Sequence, residues 1–443
     1  MGQSATPVIA PPPRARVRRL GGAALLGSSI EWYDFFIFAT AAALVFPKIF
    51  FPGQSVVTGV LLSFGTFWAG FIARPIGGLV FGHVGDRLGR KKALVICLTM
   101  TAASTFCIGL LPTAAAIGVA APVILVLLRF AQGIAIGGQW GGMILLLTES
   151  ANPRRRGLMG TFGQMGVPFG VILGNVVYLV IGAVVAEDGF ASWGWRVPFL
   201  LSALLFPVVL FIQLRIEDSP VFRRLQDEAA QDEAVKSRMP LFEAIKSHPK
   251  TIILGAGLLC GSNSSFYITI SGLLDYATRE LGVDRDPLLL VVLLGSFLSA
   301  GAIFAAGALS DRFGRKPLMY AGGVVIALAG FPFFWLVDTA SLPLIWLATT
   351  ITGVGSSLTY GPLAAHLSDL FEPRVRYSGA SAAYQLAAIV ISGGTPFLMT
   401  LLLDLTHTSM SVAAYIAIMG VLTVLCVRFL PETHRPAVPE PTA

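Results

Sequence analysis

The chain has 443 residues, 55% of them hydrophobic and only 12% charged, with a mean hydropathy of +0.77. Soluble domains carry about 25% charged residues, so a water-soluble fold is excluded. The formal net charge of +7 arises from Lys and Arg gathered in a few loops, a pattern that reports membrane orientation and not nucleic-acid binding.

A helix crosses a bilayer in about 20 apolar residues. Twelve such stretches follow in order: 22–46, 56–81, 93–111, 119–148, 157–182, 194–214, 250–276, 287–308, 318–337, 342–369, 377–403 and 410–430. The one long polar segment falls between the sixth and seventh. The expected architecture is an all-α integral membrane protein with twelve transmembrane helices in two pseudo-symmetric six-helix bundles. They occupy 21–214 and 250–430, with a disordered arm at 1–20, a linker at 215–249 and a tail at 431–443. If both termini lie in the cytoplasm, the segments on that side hold 25 Lys and Arg and the opposite side four, Lys48, Arg196, Arg279 and Arg285. Positive loops stay inside, so this orientation is the expected one.

The first span carries Glu31 and Asp34 on one helical face with Phe38. At about 1.5 Å per residue, Asp34 lies near mid-membrane, roughly 18 Å from the outer end of its span. Ionisable residues at such depth cost about 2.5 to 3.5 kcal/mol each, so they are paired, water-facing or functional. The second span holds Arg74, and His83 stands just ahead of the first loop motif, in the segment 82–92 that reads GHVGDRLGRKK. Arg129 in the fourth span falls about 10 to 15 Å below its outer end, a depth at which it could meet Asp34. Gln132, Gln139 and Trp140 continue a polar stripe from Arg129, which should face a cavity because lipid would leave it unsatisfied.

The second half repeats the first. Residues 307–317 read GALSDRFGRKP, placing Asp311 225 residues after Asp86. The turn at Glu149, Pro153 and Arg154 is echoed by Asp369, Pro373 and Arg374. Two repeated halves are the plan of a transporter that alternates access around a midplane site. In both loops the Gly residues permit close helix approach and the basic residues can bond helix-end carboxylates. Asp86, Arg87, Arg90 and Glu149, with Asp311, Arg312, Arg315 and Asp369, are therefore the candidate cytoplasmic gate. A carboxylate favours a helix N-terminus, so Asp86 is expected at the start of span eleven, beside Arg376 and Tyr377.

With these residues in view, the chain resembles the major facilitator superfamily along essentially its whole length. The Asp-Arg-x-Gly-Arg-Lys loop and Arg129-Phe-Ala-Gln132-Gly133 look like its two signatures. A closer resemblance, to the metabolite:proton symporter family of shikimate, 2-oxoglutarate, citrate and proline/betaine carriers, rests on four segments. They are Glu31-Trp32-Tyr33-Asp34-Phe35, Arg74-Pro75 with Gly82-His83, the Gly137 to Gly142 stretch, and Gly194-Trp195-Arg196-Val-Pro198-Phe199. The resemblance implies proton-coupled uptake of a small organic acid across a bacterial cytoplasmic (inner) membrane, without cofactor or metal, by a monomer that alternates access. A proline/betaine symporter and a proton-coupled efflux antiporter on the same fold are the alternatives.

In this reading Asp34 carries the proton, with Arg129 its counter-ion and Glu31 the second candidate. Arg129 keeps its charge, so it would hold Asp34 ionised while paired and release it to take a proton when substrate competes for the guanidinium. Arg74 and His83 are possible further participants, the latter as a pH sensor. The expected substrate contacts are Tyr33, Gln132, Gln139, Gln164, Asn263, Tyr267, Tyr360, Tyr384 and Gln385. Where the family pattern has Glu and Asn, this chain has Gln139 and Gln385. Losing a negative charge beside Arg129 favours an anionic substrate, expected to be a carboxylate. No HExxH or Ser/His/Asp arrangement is present, so no enzyme is expected.

Overall fold

The computed structural model describes residues 14–88, 90–137, 147–148, 151–152, 155–204, 207, 240–372 and 375–434, with backbone alone at 14–20, 23, 82–83, 85–88, 90–94, 187–188 and 240–242. Among these residues all regular secondary structure is helical. The first half contains α1 (Arg14–Leu44), α2 (Val56–Leu88), α3 (Arg90–Leu110), α4 (Ala120–Ile136), α5 (Arg156–Val184) and α6, described over 197–204. The second contains α7 (Pro249–Arg279), α8 (Arg285–Phe313), α9 (Arg315–Val337), α10 (Leu342–Asp369), α11 (Arg376–Thr406) and α12 (Met410–Phe429). Among the described residues, eight of these are long and apolar enough to span a bilayer, and α3 and α4 contain shorter apolar stretches.

Helix limits differ from the sequence reading where local chemistry intervenes. Helix α1 starts at Arg14, inside the segment read as an arm, and ends at Leu44 because Pro47 opens a separate short helix, Phe46–Phe50. Proline lacks the N–H that would continue the preceding turn but suits the first turn of a new helix. Helix α2 runs past the predicted limit at 81 to Leu88, so the backbone of most of the first loop motif is helical.

Small residues set the distance between α2 and α4. A Cβ on Gly133 would fall 2.1 Å from the Gly70 carbonyl, one on Gly137 1.9 Å from that of Arg74, and one on Gly77 1.9 Å from that of Ile134. Backbones can approach this closely only where side chains are absent, the usual means of helix association in lipid. The close fit draws Arg74 and Arg129, from two helices, into one aromatic core. The halves then meet through α1 with α7, α2 with α11, and α5 with α8 and α10.

Candidate functional site: two buried arginines behind a polar cavity

Asp34, Arg74 and Arg129 are 8%, 3% and 1% exposed, so all three are buried inside the protein and none faces lipid. The Arg129 guanidinium lies over the rings of Phe35, Phe38 and Phe67 at 4.5, 4.3 and 5.2 Å. Arg74 lies over Phe71 and Phe35 at 4.4 and 5.0 Å, with Trp32 at 5.9 Å. Phe35 therefore separates two cations, and the negative faces of these rings stabilise charges that have left water. Gly70 makes room for Arg129, since a Cβ there would stand 2.7 Å from its Nε.

Asp34 and Arg129 do not meet as the sequence reading expected. No ion pair within 4.0 Å joins them. Arg129 Nη1 donates to Gln132 Oε1 at 2.5 Å, and Gln132 Nε2 donates to Thr105 Oγ1 at 2.8 Å. Thr105 donates its own proton to the Thr101 carbonyl at 2.9 Å and lies near the Asp34 carboxyl, so this relay from Arg129 on α3 and α4 ends beside the acid. The physical reason is the i,i+3 spacing of Arg129 and Gln132, which offers the guanidinium a partner on its own helix. Asp34 Oδ1, Arg129 Nε and Nη2, and Arg74 Nε are buried without hydrogen-bond partners. Glu31, half-buried, acts on Arg74 through space without an ion pair.

In front of this cluster lies a cavity enclosing about 820 Å³ of space, its open mouth included. Trp32 of α1 and Pro168 of α5 line one wall, and α7, α8, α10 and α11 supply the rest. Four expected substrate contacts, Asn263, Tyr267, Tyr360 and Tyr384, line it. Tyr267 also packs on Phe71 and Phe67 at 5.7 and 6.0 Å, placing its ring between the cavity and the arginines. The phenols of Tyr360 and Tyr384 bond each other and lie within electrostatic reach of Arg74.

Four other expected contacts sit elsewhere. Tyr33 is 1% exposed and donates to the Pro198 carbonyl at 2.8 Å, tying α1 to the start of α6. A phenol on an apolar helix takes a neighbouring backbone acceptor as readily as a ligand. Gln132 belongs to the relay. Gln164 Nε2 donates to the Tyr360 carbonyl at 3.2 Å and Gln385 Nε2 to that of Gly137 at 3.3 Å. Each of these amides bridges the two halves, so relative movement of the halves must break it. Gln139 lies outside the described residues.

At the end where α1 starts and α12 finishes, Asp311 Oδ1 and Oδ2 accept the backbone N–H groups of Gly157 and Leu158 at 2.7 and 2.8 Å. This carboxylate of the second half thus caps the start of α5 in the first, where orphan donors and the helix dipole favour it. Arg156 bonds Asp369 at 3.2 Å, and Arg315 bonds the other oxygen of Asp369 at 2.6 Å. Arg312 stays outside this junction, exposed and stacked over its neighbour Phe313 at 5.2 Å. Glu149 lies outside the described residues, as do the side chains of His83, Asp86, Arg87 and Arg90. By the pseudo-symmetry of the halves, the docking of Asp311 is the counterpart of the contact expected for Asp86.

Three features escaped sequence reasoning. Asp275 on α7 is 3% exposed and pairs with Arg279 through two hydrogen bonds of 3.3 and 3.2 Å. The i,i+4 acid-base spacing could have revealed it. Glu432 accepts the N–H groups of Arg315 and Lys316 at 3.2 and 3.0 Å, fastening the segment after α12 to the start of α9. The third is a pair of π-helical turns, Ile268–Gly272 in α7 and Ala388–Gly393 in α11, for which side-chain pattern carries no signal.

The family described as "Sugar (and other) transporter" matches residues 22–437. The chain is 37% identical to the inner membrane metabolite transport protein YhjE of Escherichia coli (strain K12), over 93% of each chain. It is 35% identical to the shikimate transporter of the same organism, over 88% of each. Among solved structures, the partially occluded inward-open xylose transporter XylE from E. coli superposes with a TM-score of 0.74 at 20% identity, over 96% of this chain and 100% of that one. The chain belongs to the sugar (and other) transporter family, has the twelve-helix major facilitator fold, and is a multi-pass membrane transporter and not an enzyme.

Proposed function

We propose that this protein is a symporter that uses an inward proton gradient, and no cofactor, to import a small organic acid into a bacterial cell. Both termini lie in the cytoplasm, and a monomer is the working unit. The observation that carries the reading is Asp34, a buried carboxyl whose Oδ1 lacks a partner, in one aromatic core with the buried Arg129 and Arg74, whose donors are not all used. A carboxyl can gain and lose a proton whereas a guanidinium keeps its charge, so Asp34 is the group suited to carry the proton and the arginines to attract an anion. The 35% identity to a protein named a shikimate transporter supports an acid as cargo.

Interhalf bonds at Asp311, Arg156, Gln164 and Gln385 form the closed side of the cycle. Substrate and proton together would offset the loss of those bonds, which couples the two movements. The test is uptake by purified protein in liposomes, with organic acids supplied outside at acidic pH against a neutral lumen. Accumulation above the external concentration, abolished when the gradient is collapsed, is expected. Gradient-driven exit of the acid would instead assign antiport.

A further inference from the structure

We propose that the cavity selects a hydroxylated monocarboxylate, its carboxylate at the aromatic wall and its hydroxyl groups on the opposite bed. This rests on the reading that the cavity holds the transported acid. Among the described residues, none of the side chains lining the cavity is an acid, lysine, arginine or histidine. Its polarity comes from hydroxyls and one amide, most of them on α7, α8 and α10.

The direction of hydrogen bonding in that bed is legible. Ser296 donates to the Val292 carbonyl at 2.8 Å, Ser357 to Gly353 at 2.8 Å, Thr269 to Ser265 at 2.9 Å and Thr349 to Trp346 at 3.0 Å. Ser265 donates to Gly261 at 2.8 Å and so receives the hydroxyl of Ser356 at 2.7 Å. A hydroxyl has one proton, and these protons are spent inside the helices, so what faces the cavity is lone pairs. Asn263 Nδ2 donates one of its two protons to Ser392 at 2.7 Å, leaving its carbonyl oxygen and one N–H. Apart from the Ser299 hydroxyl and the second Asn263 N–H, the bed accepts, so a ligand on it is held mainly by the protons it donates.

The wall toward the first half differs. Trp32, Phe266, Tyr267, Tyr360 and Tyr384 form it, and directly behind stands Arg74, with Nε unpartnered. That end favours one negative charge. A dicarboxylate would lay its second charge on acceptors with no cation, leaving it buried and unpaired. A quaternary ammonium has no N–H to give the bed and would bring positive charge toward Arg74. Hydroxyl groups donate without charge, which leaves an acid bearing several of them.

The experiment is isothermal titration of full-length protein in nanodiscs with compounds that differ in one respect each. The ring series is 3,4,5-trihydroxycyclohexanecarboxylate, cyclohexanecarboxylate and cyclohexane-1,4-dicarboxylate, with 2,3,4-trihydroxybutanoate and glycine betaine beside it. At least one trihydroxy acid should bind about tenfold or more tighter than the unsubstituted acid, the dicarboxylate and betaine, as two or three added hydrogen bonds allow. In the double variant Ser296→Ala, Ser357→Ala the preference for hydroxylated over unsubstituted acid should shrink while the unsubstituted acid binds as before. A merely structural role would weaken both ligands alike. Tighter binding of the dicarboxylate or betaine, no binding of either trihydroxy acid, or an unaltered preference in the double variant overturns the proposal. Liposome uptake separates it from proton coupling. Selective binding without gradient-driven accumulation sinks the symport reading alone, and gradient-driven accumulation of a dicarboxylate or betaine sinks this inference alone.

Discussion

The indole N–H of Trp68 on α2 donates to the backbone carbonyl of Ile389 on α11 at 2.7 Å, across the boundary between the two halves. Ile389 lies in the π-helical turn Ala388–Gly393, where the regular ladder is interrupted and a carbonyl is available to an outside donor. Trp68, Phe71 and Arg74 follow at three-residue spacing along α2, and Gly393 is pressed against the first two, where a Cβ would lie 2.5 and 2.6 Å from their rings. Arg74 is thus connected through Phe71 to a helix of the other half.

Trp68→Phe keeps an aromatic ring and removes the N–H. Losing one hydrogen bond of about 1 kcal/mol should favour separation of α2 from α11 roughly fivefold. Maleimide labelling of a Ser296→Cys reporter in the cavity, with Cys97, Cys107, Cys260 and Cys426 replaced by Ala, should accelerate accordingly. An unchanged rate would show that the bond does not hold the halves together.

Asp311→Asn retains one acceptor for the start of α5 but loses the charge that favours a helix N-terminus, typically worth about 0.3 to 1 kcal/mol and more when partly buried. The contact joins the two halves and lies outside the cavity. Uptake rate should fall about tenfold while ligand affinity, read by titration, changes by less than about twofold. Equal losses in rate and affinity would place Asp311 in substrate binding instead.

Gly70→Ala and Gly133→Ala should fail differently. At Gly133 the new methyl meets backbone, so α2 and α4 must part, and overpacking of this kind costs about 1 to 3 kcal/mol. The melting temperature should drop by several degrees. At Gly70 the methyl meets the Arg129 side chain, which can shift, so thermal stability should hold while transport is lost. Differential scanning fluorimetry beside uptake distinguishes the two.

The clasp at Glu432 gives a pH dependence. Burial alone would raise its carboxyl, but N–H bonds from His434, Lys316 and Arg315 outweigh that and hold it below the usual glutamate range. A lowered folded-state value means the clasp stabilises the protein above the unfolded-state value, and that this contribution is lost as pH falls through the folded one. Glu432→Gln should melt earlier than the native protein at pH 7, and the gap should close below about pH 4. A gap independent of pH would remove the carboxylate from the explanation.

Much of the architecture was open to sequence reasoning because membrane helices need only length and apolarity, and because Asp311 repeats Asp86. The buried positions of Asp34, Arg74 and Arg129 followed from the cost of charge in lipid. Pairing did not follow. Helical spacing put Asp34 and Arg129 at comparable depth, yet Gln132 on the next turn captured the guanidinium. Tyr33 carries the same polar tip as Tyr267 and turned to Pro198 instead of the cavity, a choice made by helix rotation that no local pattern encodes. Trp68 carried no signal in the sequence, because its partner is a backbone carbonyl more than three hundred positions away.

The central claim is that Asp34 carries the coupled proton. It is tested most directly in liposomes holding the Asp34→Asn variant, comparing uphill accumulation of a bound acid under an inward proton gradient with exchange of the same acid at equal pH. An amide cannot cycle a proton, so accumulation should be abolished while exchange continues at close to the native rate. Accumulation as steep as that of the native protein would contradict the account.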